Sequence, residues 1–307
     1  QNEDAYVIVT GCYAQLDPDA IAAIDGVNLV IGTNNRSKIV ELVEQLESTE
    51  RQINAVRDIM KESNFEEMPL FGNESDKARA FMKIQEGCNN YCSFCIIPYT
   101  RGKLKSRKIE DIVEEAKRLV DHGFHEIVLT GIHLGNYGVE LPGRPTLADV
   151  VKALLEIPEL YRIRFGSIES VEVSDELVEL MATDKRVCPN LHLPLQAGSD
   201  HVLQLMRRHY TLQEYKDLIA KLRSRIKDLS ITTDIIAGFP QETDEDFEET
   251  LNTVREIGFT HIHAFPYSIR EGTPAATMPD QVPEAVKKTR VALLNGLSQA
   301  GYEAYAK

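Results

Sequence analysis

The chain has 307 residues, 43% of them hydrophobic, which suits a soluble globular enzyme of one large domain or two smaller ones. It carries 34 Lys/Arg against 48 Asp/Glu, a net charge of −14, with no Trp and a pI near 5.1, so it does not read as an obvious nucleic-acid binder. Nothing in it reads as a secretory signal or as an apolar span of about 20 residues.

Taken in order, Tyr6 to Val9 reads as a strand followed by Gly11-Cys12. Pro18 to Ile24 reads as a helix, Val27 to Ile31 as a strand, and the spacing of Ile39, Val40, Leu42, Val43 and Leu46 as another helix. Strand, helix, strand, helix suggests the C-terminal part of a small α/β domain over 1–50. Residues 51–78 are polar, lack clear periodicity and contain Pro69 and Gly72, which predicts a linker.

From residue 79 the pattern becomes regular. Strands are expected at Ala80–Glu86, Ile127–Thr130, Ile163–Ile168, Leu191–Leu195, Ile231–Ala237 and His261–Phe265. Helices are expected at Ile109–His122, Leu147–Ile157, Ser174–Ala182 with Ser174 as N-cap, Asp200–Ile226 with a break near Tyr210-Thr211, Asp244–Ile257 and Pro283–Tyr305. Six strands alternating with six helices imply a parallel sheet curled into a full or partial barrel over 79–307. Every stretch of unusual composition follows a strand, and chemistry in such folds gathers at the C-terminal strand ends. The chain begins at Gln1 and ends at Lys307 inside a helical pattern without a cap, as expected of a piece of a longer protein.

Charge is unevenly placed. Residues 1–78 hold 6 Lys/Arg against 15 Asp/Glu, whereas Tyr99 to Lys108 holds Arg101, Lys103, Lys105, Arg107 and Lys108 and no acid. A local basic arm on an acidic body can still meet phosphate.

Three of the five cysteines, Cys88, Cys92 and Cys95, fall within eight residues as C-x3-C-x2-C. On a helix they would share a face, but Gly87, Asn89-Asn90 and Pro98 favour a loop wrapped round a metal centre. Three thiolates suit an iron–sulfur cluster and leave one iron open for a substrate. Structural zinc would want a fourth ligand nearby, yet His122 follows a helix and Cys188 is remote. The odd cysteine count argues against a disulfide framework.

This spacing, with Phe94 just before the last cysteine, resembles the signature of radical S-adenosylmethionine (SAM) enzymes. The resemblance implies a partial (βα)6 TIM-like barrel and a [4Fe–4S] cluster on Cys88, Cys92 and Cys95. Its fourth iron would chelate SAM, and one electron would cleave the sulfonium to a 5′-deoxyadenosyl radical. The further series Gly11-Cys12-Tyr13-Ala14-Gln15, Thr130-Gly131-Ile132-His133-Leu134-Gly135-Asn136-Tyr137-Gly138 and Phe265-Pro266-Tyr267-Ser268 is similar to the methylthiotransferases, most of all to the MtaB-like branch. That likeness covers essentially the whole chain. It implies methylthiolation at C2 of N6-threonylcarbamoyladenosine, 3′ of the anticodon in tRNA. The same chemistry on isopentenyladenosine tRNA or on a ribosomal-protein aspartate is the near alternative. A non-catalytic metal-binding module that docks RNA is the alternative from another class.

The resemblance also implies a second cluster, of which Cys12 would be one ligand, the other two and a C-terminal RNA-binding TRAM domain lying outside this chain. It implies Phe94 near the adenine of SAM, against a plain core role. Ser167 and Glu169 end a strand at the expected mouth, where Glu169 would take ribose hydroxyls or stand as a solvated rim carboxylate. Gln196 would orient cofactor or substrate, or only stabilise its turn. Asp234, inside an apolar strand, needs a basic partner if buried. Arg101, Lys103, Lys105 and Arg107, with Arg207 and Arg208, are expected to meet tRNA phosphates, against a solvated loop. His133 would help select substrate or sit idle at the rim, and Cys188 reads as a buried apolar thiol. The expected partners are the tRNA anticodon loop and an electron donor such as flavodoxin or ferredoxin. No membrane or DNA partner is expected, and the cytoplasm is the expected location.

Overall fold

The computed structural model describes residues 5–49, 51–68 and 79–307. Strands β1 (Val7–Thr10), β2 (Val27–Ile31) and β3 (Ile53–Asn54) form a parallel sheet in that order, with α1 (Cys12–Leu16), α2 (Pro18–Ala22) and α3 (Ile39–Thr49) between them. Its core is small, with Ala14, Ile21, Val27 and Val30 at its centre. Ile53 and Asn54 were expected in the linker over 51–78 and instead extend this sheet, because two residues are too few to show a period. Residues 69–78 of that stretch, with Pro69 and Gly72, lie outside the described residues.

The larger part begins with β4 (Arg79–Lys83) and β5 (Gln85–Glu86), followed by α4 (Ile97–Arg101), β6 (Lys105–Ser106) and α5 (Ile109–Asp121). Then come β7 (Glu126–Thr130), α6 (Leu147–Leu155), β8 (Arg162–Phe165), α7 (Asp175–Thr183) and β9 (Asn190–His192). Next are α8 (Asp200–Leu205), α9 (Leu212–Arg225), β10 (Ser230–Ala237), α10 (Asp244–Ile257), β11 (His261–Pro266) and α11 (Glu284–Tyr305). Ladders β4-β7-β8 and β9-β10-β11 are parallel throughout, and a Ser167–His192 bridge joins them into one open, partial (βα)6 barrel.

Alternation on the strands decides which side chains face the lumen. On β10, Ile231, Thr233, Ile235 and Ala237 are buried, whereas Ser230, Thr232, Asp234 and Ile236 are half-buried. The apolar odd set packs with Leu251 and Val254 of α10 and Leu294 of α11, so the even set faces the lumen. Helix starts are chemically marked. Thr146–Asp149, Thr211–Glu214 and Thr243–Asp246 are capping boxes, and Ser174 accepts from the Leu177 amide. Gly258, at φ 62°, ends α10.

Candidate active site

The cysteine loop hangs from a two-stranded stem, β5 paired antiparallel with β6. Gly87 closes it at φ +79°, and the Cys88 amide donates to the Gly102 carbonyl at 3.1 Å. A Cβ on Gly87 would lie 1.9 Å from the Lys103 carbonyl oxygen, so only glycine permits that approach. The far side docks on the barrel. Ser93 is fully buried, donating its amide to Met206 O at 3.1 Å and its hydroxyl to Leu205 O at 2.7 Å, while its carbonyl accepts from Ala275 N at 2.8 Å. Buried Gln85 ties the stem to the loop after β7 by accepting from the His133 amide at 2.7 Å.

The thiols are tied into polar networks. Arg208 donates to Cys92 Sγ at 3.2 Å, forms an ion pair with Glu169, and places its guanidinium 5.1 Å over the Tyr210 ring. Cys88 Sγ lies 3.5 Å from His133 Nδ1, while His133 Nε2 contacts the Glu172 carboxylate and Asn136 Nδ2. Burial disfavours a charged His133 ring, but the Cys88 thiol and Glu172 outweigh it and push the imidazole up to about 10. Burial raises the Cys92 thiol against the pull of Arg208, and lifts Cys95 to about 11.

This donor set fits a cluster better than a single ion. Among the described residues, the set of three or more His, Cys, Asp or Glu ligand atoms all within 4.8 Å of one another is His192, Asp234 and His263; the loop thiols do not meet that spacing. Three thiolates on one tetrahedral zinc, with Zn–S bonds of about 2.3 Å, would lie about 3.8 Å apart. A [4Fe–4S] cube holds its cysteine sulfurs on separate irons and so accepts the wider spread.

Relatives agree with this geometry. The Radical SAM superfamily model matches residues 82–254. Threonylcarbamoyladenosine tRNA methylthiotransferase MtaB of Bacillus subtilis is 44% identical over 100% of this chain and 68% of its own length. The chain belongs to the radical SAM methylthiotransferases. Such enzymes are transferases, and their superfamily uses a [4Fe–4S] cluster and SAM. A second family member, tRNA-2-methylthio-N(6)-dimethylallyladenosine synthase of Carboxydothermus hydrogenoformans, is 38% identical over 97% of this chain and 69% of its own. Among solved structures, the radical SAM methyltransferase TsrM from Kitasatospora setae, with cobalamin and [4Fe–4S] cluster bound, superposes with a TM-score of 0.52 at 17% identity, over 64% of this chain and 38% of that one. Coproporphyrinogen III oxidase HemN from Escherichia coli gives 0.50 at 17% identity, over 71% and 51%. At that identity these two speak for the radical SAM fold alone.

The other residues singled out from the sequence divide sharply. Phe94 is half-buried, edge-on to Phe239 at 6.3 Å. Ser167 is exposed at the strand bridge to His192. Glu169 is half-buried and ion-paired through Oε2 with Arg208, so it is not a free rim carboxylate. Gln196 adopts φ +65° and pairs as backbone, accepting from Ile236 N and donating its amide to Asp234 O. Cys12 opens α1 and accepts from Arg101 Nε at 3.2 Å, which brings it to the cluster-loop side of the barrel. Cys188 is buried.

The basic arm requires correction. Lys105 is buried, donating to Arg101 O at 3.1 Å, and burial holds its ammonium below the usual lysine range. Arg107 is buried between Glu115 and Glu67, the latter at 2.8 Å. Arg101 joins Glu86 at 3.4 Å, and Arg208 is committed to Glu169. Lys105 is thus spent on a backbone carbonyl, and Arg101, Arg107 and Arg208 on internal ion pairs, so they are not a free surface for phosphate; Lys103 and Arg207 remain exposed. His133 is no rim histidine but is 3% exposed. Asp234, expected to need a basic partner, is half-buried and has His192 Nε2 at 3.2 Å. Glu172, Gln85 and the convergence of His192 and His263 on Asp234 escaped sequence reasoning. Only the position of each at or just after a strand marks them in the sequence.

Proposed function

We propose that this chain carries the radical domain of a methylthiotransferase that adds CH3S to C2 of N6-threonylcarbamoyladenosine, 3′ of the anticodon in tRNA. The observation that carries the reading is end-to-end similarity to an MtaB relative, with the three cysteines presented on one stemmed loop at the barrel mouth. MtaB relatives of Rickettsia prowazekii and Aquifex aeolicus, at 41% and 38% identity, support it.

In this reading Cys88, Cys92 and Cys95 hold the [4Fe–4S] cluster. That cluster supplies the electron for reductive cleavage of SAM. The chain's own residues set the stage. Arg208 places positive charge beside Cys92, favouring its thiolate, and the Glu169 carboxylate fixes the guanidinium. Glu172 and Asn136 hold the His133 ring against Cys88. Phe94 and Gln196 flank the cofactor space, with Ser167 at the rim. Cys12 is one ligand of the second cluster of the family. Lys103 and Arg207 meet tRNA phosphates, and a flavodoxin- or ferredoxin-type protein delivers electrons. The three-stranded sheet that ends with Asn54, with its helices, forms the N-terminal unit, and 79–307 form the barrel. Among the described residues no helix is long and apolar enough to cross a membrane. With tRNA as its substrate, the enzyme of this reading works in the cytoplasm. The dimethylallyladenosine relatives make isopentenyladenosine tRNA the competing substrate.

Anaerobic reconstitution followed by iron and sulfide counts, SAM-cleavage assay and nucleoside mapping of tRNA tests this reading. About four irons on the radical site, lost with Cys92→Ala, and a new 2-methylthio group on threonylcarbamoyladenosine are expected. Zinc in place of iron, or SAM cleavage that survives Cys92→Ala, overturns the cluster assignment. Modification of isopentenyladenosine alone overturns the substrate.

A further inference from the structure

A second convergence of polar side chains lies inside the barrel, on strands that carry no cysteine. His192 on β9, Asp234 on β10 and His263 on β11 bring their ligand atoms within 4.8 Å of one another. Strand register explains the meeting. Thr232 pairs with His192, and Asp234 pairs with His263, on the half-buried face of β10 that turns to the lumen. His192 is pinned at both nitrogens, with Nδ1 2.9 Å from Thr232 Oγ1 and Nε2 3.2 Å from Asp234 Oδ2. His263 has ring contacts to His192 at 5.6 Å and His261 at 4.5 Å. Among the described residues neither of its ring nitrogens has a hydrogen-bond partner, and the side chain is exposed. Burial and the neighbouring His261 hold its imidazole below the usual histidine range, which favours the neutral ring with its one N–H donor.

The position matters as much as the chemistry. The next lumen-facing residue along β11 is Phe265, 50% exposed at the mouth. It stands about 7 Å above His263 along the strand. An exposed aromatic ring at the mouth is a surface on which a base stacks. Beneath it lies a fixed acceptor, Asp234, next to a free imidazole donor. A threonylcarbamoyl substituent carries N–H and O–H donors together with carbonyl and carboxylate acceptors, and so complements that pair. A dimethylallyl substituent offers neither, so it would leave His263 unpaired and give Asp234 no partner beyond His192.

We propose that His263, backed by the His192–Asp234 pair, is a specificity-determining residue that reads the polar N6 substituent of the substrate adenine. This rests on the threonylcarbamoyl reading above and adds the site that enforces it. A site built to hydrogen-bond its substrate rejects an analogue lacking those groups far more strongly than an apolar pocket rejects a polar one.

The test uses the reconstituted full-length enzyme with three anticodon-loop substrates, bearing threonylcarbamoyladenosine, isopentenyladenosine or unmodified adenosine. Turnover of the first by the unmutated enzyme is measured at the outset. Its absence strikes down the parent reading and this inference with it. Given turnover, His263→Leu is expected to lower kcat/KM on the threonylcarbamoyl substrate at least about tenfold, through KM, and to narrow its advantage over unmodified adenosine. His263→Gln, which keeps an N–H donor at similar size, is expected to retain most of that advantage. Equal losses on all three substrates, or equal losses in both variants, would make His263 merely structural and sink the inference alone. So would stoichiometric zinc, beyond the cluster iron, that is present in the unmutated enzyme and lost in both variants, because the trio would then be a metal site.

Discussion

Arg208 and Arg101 each reach from a carboxylate to a cysteine sulfur at 3.2 Å, but in different surroundings. The Arg208 side chain is 4% exposed, paired with Glu169 and stacked on Tyr210 inside the barrel mouth. The Arg101 side chain is 22% exposed and shares Glu86 with Lys83, where the small N-terminal sheet meets the cluster loop. Near Arg101 a second cation, Lys83, shares the carboxylate that a substitution would strand. Among the described residues Glu169 has Arg208 alone as its cationic partner, so the trio there is more tightly coupled.

Arg208→Ala should therefore have the largest effect, a loss of about 3–5 kcal/mol in urea unfolding, because it strands the Glu169 carboxylate. The double change with Glu169→Ala should recover part of that loss. If Arg208→Ala costs no more than Arg101→Ala, the contrast fails. Arg101→Ala should cost about 1 kcal/mol, the worth of a typical net hydrogen bond. It should also raise protease sensitivity near α1 while leaving the barrel helices protected.

An effect no larger than that of Arg101→Ala is expected away from both arginines, at the start of α10. Thr243→Ala removes one half of a capping box and should cost about 1 kcal/mol in thermal or urea unfolding. Burial pushes the Asp246 carboxyl up, but hydrogen bonds from Ser199, His201 and Thr243 outweigh it and hold it below the usual range. A depressed carboxyl contributes stability that is fully present above its ordinary value, about pH 4, and is lost as pH falls through the lower folded value. Asp246→Asn should flatten that acid limb in a pH series of unfolding midpoints. An unchanged limb would assign the acid sensitivity elsewhere.

Much of this architecture is legible in the chain because it is local. C-x3-C-x2-C with flanking glycine, asparagine and proline reads as a loop, and it is one. The strand-and-helix rhythm after residue 79 and the Ser174 cap are set by periodicity and by side chains three residues away. The acid-free basic run misled because its partners are distant in sequence. Glu67 lies 40 residues before Arg107, and Glu169 lies 39 before Arg208. His133 likewise meets Glu172 from 39 residues away.

The sequence by itself determined the alternation of elements, the cysteine loop and the capped helix starts, since each depends on contacts within a few residues. Only the tertiary structure decided which cations are free and which histidines converge. Parallel strands bring residues 40 positions apart to one register, as with His192 and Thr232, and set which of them share the lumen. Burial then decides the fate of each charge, because a charged side chain removed from water must find a partner wherever the fold provides one.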